Sequence, residues 1–253
     1  MGVVNVFTPR MQLERIITGT RKWFARNGDE NTKAIIGISG GKDSTFATYI
    51  CCEALGKDRV VGIMMPNGFQ EDADDTQAVV EHFDIEYYRI NIEQQYNVGL
   101  YYYKNILELE INDIVRFNRP ARLRMATLYD IAAMLHGRVI CTDNYSEWFT
   151  GYSTKWGDSC GDFAPFQQYT VTEIKSMMRY AKIPDRFINK IPHDGMSSPD
   201  EERFGFTYEQ LDHFIRDKYD NYGLTEEVID KIYAMHERSE HKRNPMDSIK
   251  YPH

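Results

Sequence analysis

The stretch that most constrains this chain is a short apolar run followed by two glycines, Lys-Ala-Ile-Ile-Gly-Ile-Ser-Gly-Gly-Lys-Asp-Ser at 33–44. Residues 34–38 are mostly apolar and β-branched, and they are too few for a buried helix, so they predict a buried parallel strand. Gly40 and Gly41 have no Cβ, which lets backbone N–H groups approach an anion at the positive end of a helix that starts near Asp43. The stretch therefore predicts a phosphate-binding turn.

Asp43 distinguishes this turn from the common nucleotide-binding loops. A Walker loop needs Ser or Thr after its lysine, whereas Asp43 follows Lys42, and the sequence contains no G-x-G-x-x-G. Because an acid inside a phosphate loop repels its own ligand, Asp43 predicts that Mg²⁺ is held against a polyphosphate. A tight turn without a ligand would explain the two glycines alone, but it does not explain Ser39, Asp43 and Ser44 beside them.

The rest of the sequence alternates strand and helix patterns. A helix is predicted from Thr8-Pro9 to Gly28. An apolar run at 60–65 predicts a second strand, and two further strands are predicted at 86–90 and 138–142, with helices between them. This α/β alternation predicts a doubly wound parallel sheet flanked by helices, with ligands beyond the carboxyl ends of its strands. The C-terminal part is predicted to be helical at 171–182, 206–219 and 225–240, with a mobile cover over the site at 191–204.

Composition and charge limit the class of protein. The 253 residues are enough for one large domain, and no composition break divides them, so we expect a single domain over 1–253. A net charge of −8 disfavours a general nucleic-acid binder, and no apolar run reaches the ~18 residues of a membrane helix. The four cysteines form no C-x-x-C pair and predict reduced thiols in a cytoplasmic protein: Cys51, Cys52, Cys141 and Cys160.

Two neighbouring helices are predicted in the middle of the chain. The first, at 96–115, has more apolar and aromatic residues than one core contact needs, so it predicts either a subunit interface or a buried internal helix. The second runs from Asn118 to Leu135 and places Arg122 and Arg124 in its first turns. Because arginines at a helix start oppose the helix dipole, they indicate a nearby anion, although ordinary surface charge would explain either one alone.

Several motifs resemble those of known enzymes. The turn Ser39-Gly40-Gly41-Lys42-Asp43-Ser44 is similar to the loop of ATP pyrophosphatases, which cleave ATP between its α- and β-phosphates to adenylate a substrate. The resemblance narrows to the ammonia-dependent NAD synthetases at four further stretches, and by motif order it covers 13–245. These stretches and the family patterns they resemble are 118–125 (N-x-x-A-R-x-R-M), 142–147 (T-x-N-x-x-E), 151–162 (G-Y-x-T-K-Y-G-D-x-x-x-D, with Trp156 in place of the second tyrosine) and 240–243 (E-H-K-R).

The resemblance implies a Rossmann-like fold of the adenine nucleotide alpha hydrolase type and a homodimer. It also implies that ATP and Mg²⁺ adenylate the nicotinate carboxylate of deamido-NAD, and that ammonia then displaces AMP to give NAD. Asp43 and Glu147 would bind Mg²⁺, and Asp43, Lys155 and Asp158 would be catalytic, Asp158 by accepting a proton from ammonia. The implied ATP contacts are Gly37, Ile38, Ser39, Gly40, Gly41, Lys42, Asp43, Ser44 and Thr142, and the implied deamido-NAD contacts are Arg122, Lys155, Asp162, His241 and Lys242.

Two positions depart from the family pattern at the ATP site. Val171 stands where the family has a lysine, and His193 stands where it has a threonine after a proline. Thr170 and Glu173 form a capping box, so we expect a helix that presents its N-terminus near the ATP phosphates. Lys175 lies one turn beyond Val171 on the same face, so it is either a replacement for the missing lysine or an ordinary surface lysine. The alternatives are another adenylating amidotransferase or sulfur transferase with the same loop, or a nucleotide-binding dimer without catalysis.

Overall fold

The fold is a parallel sheet wrapped by helices, described here from a computed structural model over residues 7–68, 73–190, 200–217, 222–244 and 246. The strands are arranged in the order β3-β2-β1-β4, and all pairs are parallel, which confirms the predicted doubly wound sheet. Ala34 of β1 lies opposite Val60 of β2 and Arg138 of β4. The strands are β1 (Lys33–Gly37), β2 (Val60–Met64), β3 (Glu86–Arg89) and β4 (Gly137–Val139).

Twelve α-helices in the described residues surround this sheet. Those up to the fourth strand are α1 (Pro9–Asn27), α2 (Lys42–Leu55), α3 (Ala73–Phe83), α4 (Glu93–Asn105) and α5 (Asp113–Met134). Those that follow are α6 (Tyr145–Thr150), α7 (Val171–Tyr180), α8 (Asp185–Ile188), α9 (Asp200–Phe204), α10 (Tyr208–Arg216), α11 (Glu226–Arg238) and α12 (Glu240–Arg243).

The core lies on both faces of the sheet because successive residues of a strand point to opposite sides. Ala34 and Ile36 of β1 pack with helices α1, α2, α3 and α7, whereas Ile35 between them packs with α5. All three side chains are fully buried. A third apolar cluster joins Val171 to residues of α9, α10 and α11, so the C-terminal helices form a layer of their own beside the sheet.

The predicted helix at 96–115 is wrong in one respect, since the structure breaks it in two. Helix α4 ends at Asn105, and α5 begins at Asp113, where the side chain of Asn112 accepts a hydrogen bond from the Val115 N–H. No residue of α4 is buried, so the alternative of a buried internal helix is also wrong.

Arg122 and Arg124 do not lie at a helix start, because α5 already begins nine residues before Arg122. The dipole argument for an anion beside them therefore fails. Arg124 donates through Nε to the Met65 carbonyl at 3.0 Å, so it supports the end of β2. Arg122 donates through Nε to the Lys155 carbonyl at 3.2 Å, which connects α5 to the glycine-rich loop at 151–162.

The predicted cover at 191–204 lies mostly outside the described residues, which resume with α9. His193 falls in that same stretch. The other C-terminal predictions are confirmed within a few residues by α7, α10 and α11. No helix in the described part of the chain is long and apolar enough to span a membrane.

Candidate active site

The turn after β1 has the geometry of an anion-binding loop. Gly40 adopts a φ of +75°, and a Cβ there would lie 2.9 Å from the Asp75 Cβ, so only glycine fits this position. Gly41 is the N-cap of α2, and no side chain caps that helix, which leaves the first N–H groups of the helix for an anion. The Ser39 hydroxyl accepts from the Gly41 N–H at 3.2 Å and lies 3.1 Å from the Ser44 hydroxyl, so the turn is held by its own side chains.

Lys42 and Asp43 form an ion pair at the start of α2. Lys42 Nζ lies 2.8 Å from Asp43 Oδ2, and the lysine side chain is only 5% exposed. Its ammonium also lies 5.6 Å from the centre of the Tyr208 ring, so α10 covers it from the C-terminal layer. The second carboxylate oxygen, Asp43 Oδ1, is buried and accepts no hydrogen bond from the described residues. A buried carboxylate oxygen without a donor fits a cation ligand.

Glu147 faces Asp43 from helix α6. The Asn144 side chain caps this helix by accepting from the Glu147 N–H at 3.0 Å, which fixes the first turn. Burial, and then the negative charge of Asp43, raise the pKa of Glu147 well above its usual value. Two neighbouring carboxylates are the donor set that a hard divalent cation neutralises, so Asp43 and Glu147 fit the predicted Mg²⁺ site.

Two more carboxylates lie within electrostatic reach of this pair. Asp143 is 4% exposed and accepts a hydrogen bond from Gln167 Nε2 at 3.3 Å, and its burial raises its pKa to about 7. Asp158 is solvent-accessible as a residue, but its carboxylate accepts from the Thr154 N–H at 2.7 Å, and burial of that group raises its pKa. The hydrogen bond turns the Asp158 carboxylate towards the protein although the rest of the residue is exposed. The site therefore has surplus negative charge that a bound cation would offset.

The C-terminal helix α12 holds the glycine-rich loop. Lys242 Nζ donates to the carbonyls of Gly151 at 2.8 Å and Ser153 at 2.7 Å, and Lys155 Nζ donates to the His241 carbonyl at 2.7 Å. On its other side the loop packs closely on α5, since a Cβ at Gly157 would lie 3.0 Å from that of Ala121. The loop is thus positioned between two helices far apart in the sequence.

Some of the predicted substrate residues lie together in the structure, and others form hydrogen bonds that support the local fold. Asp162 Oδ2 accepts from the Val139 N–H at 2.8 Å, and Tyr129 donates to Oδ1 at 3.4 Å, so this carboxylate secures the end of β4. Thr142 lies just beyond that strand and is partly buried, whereas His241 is exposed. Gly37 and Ile38 close the first strand, where the Ile38 N–H donates to the Ile63 carbonyl at 2.9 Å.

Sequence reasoning missed an ion pair beside the phosphate loop. Lys190 Nζ lies 2.8 Å from Asp75 Oδ2, and it would be 3.1 Å from a Cβ at Gly40. Lys190 is about 150 residues from the loop in sequence. A lysine followed by Ile191-Pro192 carries no local signal for this position, so the contact depends on the tertiary fold alone.

A parallel sheet with an uncapped Ser-Gly-Gly turn after its first strand, near carboxylates of α6 and of the segment after β4, is the arrangement of a nucleotide-binding α/β protein. The sequence matches the family described as NAD synthase over residues 13–246. It is 31% identical to the ammonia-dependent NAD synthetase of Pyrococcus furiosus, over 92% of this chain and 93% of that protein. The chain belongs to the NAD synthase family, and it is therefore an enzyme of the ligase type that forms a C–N bond.

Solved structures agree with this fold. The NMN synthetase of Francisella tularensis superposes with a TM-score of 0.84 at 28% identity, covering 97% of this chain and 99% of that one. The ammonia-dependent NAD synthetase of Campylobacter jejuni, in complex with nitrate, superposes with a TM-score of 0.77 at 24% identity, covering 96% and 99%.

Proposed function

We propose that the chain amidates the nicotinate carboxylate of deamido-NAD with ammonia, through an adenylated intermediate, and gives NAD, AMP and pyrophosphate. The observation that carries this proposal is the buried, unpartnered Asp43 Oδ1 on a phosphate-binding turn, opposite Glu147. Family membership favours this reaction over sulfur transfer or nucleotide binding without catalysis. The reaction requires a polyphosphate, a divalent cation and an activated carboxylate at one place, and the site offers donors for the first two.

The residues of the turn have a simple task in the first half-reaction. A carboxylate is a poor acyl electrophile, and attaching AMP gives it a good leaving group. Ser39, Gly40, Gly41 and Ser44 would bind the departing pyrophosphate through N–H and O–H donors, while Lys42 adds a positive charge. Mg²⁺ held by Asp43 and Glu147 would supply charge neutralisation at the phosphates. Because Lys42 and Asp43 pair with each other at 2.8 Å, the lysine keeps the carboxylate aimed at the loop.

Asp158 and Lys155 would act in the second half-reaction. Attack by ammonia on the acyl adenylate leaves an N–H proton to be removed, and Asp158 is the proposed acceptor. Its raised pKa brings its proton affinity closer to that which a general base needs at neutral pH. Arg122, Lys155, Asp162, His241 and Lys242 stay predicted deamido-NAD contacts. Their internal hydrogen bonds to the loop would set its shape before the substrate arrives.

A second candidate substrate is nicotinate mononucleotide, which the same chemistry would convert to NMN. The Francisella NMN synthetase favours this candidate, because its fold superposes with a TM-score of 0.84, against 0.77 for the Campylobacter NAD synthetase. Both substrates present the same nicotinate carboxylate to the adenylating site. They differ only in the second nucleotide half, so the protein would distinguish them by binding affinity and not by reaction mechanism.

One assay distinguishes these proposals. The purified protein is given ATP, Mg²⁺ and ammonium with deamido-NAD, with nicotinate mononucleotide or with neither, and AMP and the amidated product are measured. We expect AMP to form in step with NAD in the deamido-NAD reaction. Equal or higher turnover with the mononucleotide would favour the second candidate, and AMP formation with neither substrate would contradict both.

A homodimer in the cytoplasm completes the proposal. Large apolar side chains are exposed on and after α4, and a groove of about 410 Å³ between this segment and α5 includes Tyr103, Leu109 and Val115. A second copy of the chain would cover them. Sedimentation of a Leu107→Asp, Leu109→Asp double variant should show a smaller species, with exposed Met134→Asp as the control. A wild-type monomer would contradict the dimer.

A further inference from the structure

Helix α7 cannot offer its N-terminus to ATP, contrary to the expectation from its capping box. The box is present, with Thr170 and Glu173 bonded to each other's backbone N–H groups. The Val171 N–H donates to Ser146 Oγ at 3.0 Å, and the Thr172 N–H donates to Asp212 Oδ2 at 2.7 Å. The first turn of α7 is therefore satisfied by protein groups, and no free donor remains there for a phosphate.

Val171 itself has no access to a ligand. Its side chain is 1% exposed and packs in the apolar cluster with Phe204, Tyr208 and Leu211. A charged residue in this surrounding would be desolvated without a partner, so the local packing excludes a lysine at this position. Any positive charge that α7 contributes must come from another turn of the helix.

Lys175, one turn further on, is placed differently. It is partly buried, and among the described residues its ammonium makes no hydrogen bond and no ion pair. The other lysines around the sheet differ in this respect, since Lys33 pairs with Glu86 and Lys190 with Asp75. Burial, and next the neighbouring charge of Lys42, lower the pKa of Lys175, while the carboxylates of Glu201 and Asp43 act in the opposite direction. Helix α7 packs on α2 through the apolar core, so Lys175 lies within electrostatic reach of the start of α2.

Two ammonium groups that face each other repel unless an anion lies between them. Lys42 already has a counter-ion in Asp43 at 2.8 Å, but Lys175 has none within the described chain. Once a divalent cation binds Asp43 and Glu147, the negative charge of Asp43 is divided between that cation and Lys42. A polyphosphate on the turn would neutralise both lysines at once, whereas no carboxylate of the described residues forms an ion pair with Lys175.

We propose that Lys175 is a phosphate-binding residue of the ATP site, reaching from the second turn of α7 to the polyphosphate held on the Ser39–Ser44 turn. This inference rests on the proposed function and names one further substrate-binding residue for it. It also accounts for Val171, because the cation has moved one helical turn along the same face, by about 6 Å.

The test measures binding of an ATP analogue with a methylene bridge between the α- and β-phosphates, by calorimetry in the presence of Mg²⁺. Lys175→Met and Lys175→Gln remove the charge with different polarity, so equal losses in both assign the effect to the charge. Lys182→Met is the matched control, because that lysine follows the same helix and is exposed. We expect both Lys175 variants to bind roughly tenfold more weakly or worse, ~1.4 kcal/mol, with the control unchanged.

Steady-state rates give a second readout that a folding defect would not reproduce. The KM for ATP should rise in both Lys175 variants, while the KM for ammonium and the thermal midpoint stay close to those of the wild type. Wild-type affinity for the analogue in either Lys175 variant would overturn the inference and leave the proposed function standing. A wild-type protein that does not bind the analogue would count against the proposed function itself.

Discussion

The Ser146 hydroxyl donates to Asp212 Oδ1 at 2.5 Å, and neither residue is more than 2% exposed. The same pair receives the N–H groups of Val171 and Thr172, so one buried carboxylate on α10 joins the starts of α6 and α7. Ser146 immediately precedes Glu147. The C-terminal layer thus reaches the proposed metal ligand through a single hydrogen-bonded connection.

Replacing Asp212 with alanine should destabilise the protein by about 2–4 kcal/mol, because it leaves a buried hydroxyl and a backbone N–H without an acceptor. The measurement is urea unfolding followed by circular dichroism. Asp230→Ala, on the exposed side of α11, removes the same charge and should change stability by less than about 0.5 kcal/mol. A similar small change in both variants would show that the buried connection has little energetic weight.

Asp43→Asn should reduce turnover far more than it reduces stability. The substitution keeps the shape of the side chain but removes one charge of the proposed metal site, and Asp43 lies in no apolar cluster. Turnover is measured across a Mg²⁺ titration, and stability by thermal unfolding, with exposed Asp58→Asn as the control. Recovery of the full rate at moderately raised Mg²⁺ would show that Asp43 does not bind the metal directly.

In the absence of metal, the free energy of unfolding should fall as the pH rises from 6 to 8, because the buried carboxyl of Asp143 ionises. Burial raises the pKa of this carboxyl to about 7, above its unfolded value, so the native state binds the extra proton. The cost of ionising the buried carboxyl is therefore absent below the pKa of Asp143 in the unfolded state. It grows above that pH and is largest above the pKa of Asp143 in the folded state. The expected loss from pH 6 to pH 8 is about 1.4 kcal/mol. Asp143→Asn should lack this slope, and parallel pH profiles for the two proteins would contradict the assignment.

Ammonium should support turnover when glutamine does not. Hydrolysis of glutamine by a cysteine requires an accessible thiolate, but Cys51 and Cys141 are buried, and burial raises the pKa of both thiols. Cys52 is partly buried, and its pKa rises to about 12 for the same reason. The assay compares NAD formation with ammonium chloride and with ammonia-free glutamine. Equal rates with the two nitrogen sources would overturn the prediction.

The strand-and-turn part of the fold could be predicted from sequence because its signals are local. Strands β1 and β2 are short, mostly apolar runs, and the run before Gly40 ends in a turn that only glycine fits. The break between α4 and α5 was missed because the segment from 105 to 113 contains neither Gly nor Pro. Its markers were subtler: Glu108 adopts a φ of +54°, and Asn112 caps the next helix. Pro120 lies inside α5, seven residues after its start at Asp113.

The candidate site was predicted where motifs are contiguous and missed where it depends on packing. The turn at Asp43 and the loop with Asp158 could be read directly from the sequence. Lys190 and Asp212 come from helices or segments far along the chain, and nothing in their neighbouring residues indicates a ligand or a buried connection. The start of α7 combines both cases. Its capping box is a local signal and is confirmed. The acceptors of its first N–H groups, Ser146 and Asp212, are distant in sequence and could not be predicted.

Lys242 fastens the glycine-rich loop through two carbonyls, and the turn at Ser39 lies about 200 residues before it. During translation the phosphate turn emerges from the ribosome long before that lysine does. The loop at 151–162 therefore lacks these two hydrogen bonds until α12 has been synthesised. A chain interrupted before α12 would contain the glycine turn but not the lysine that anchors the loop, so the two halves of the candidate site are completed at different times.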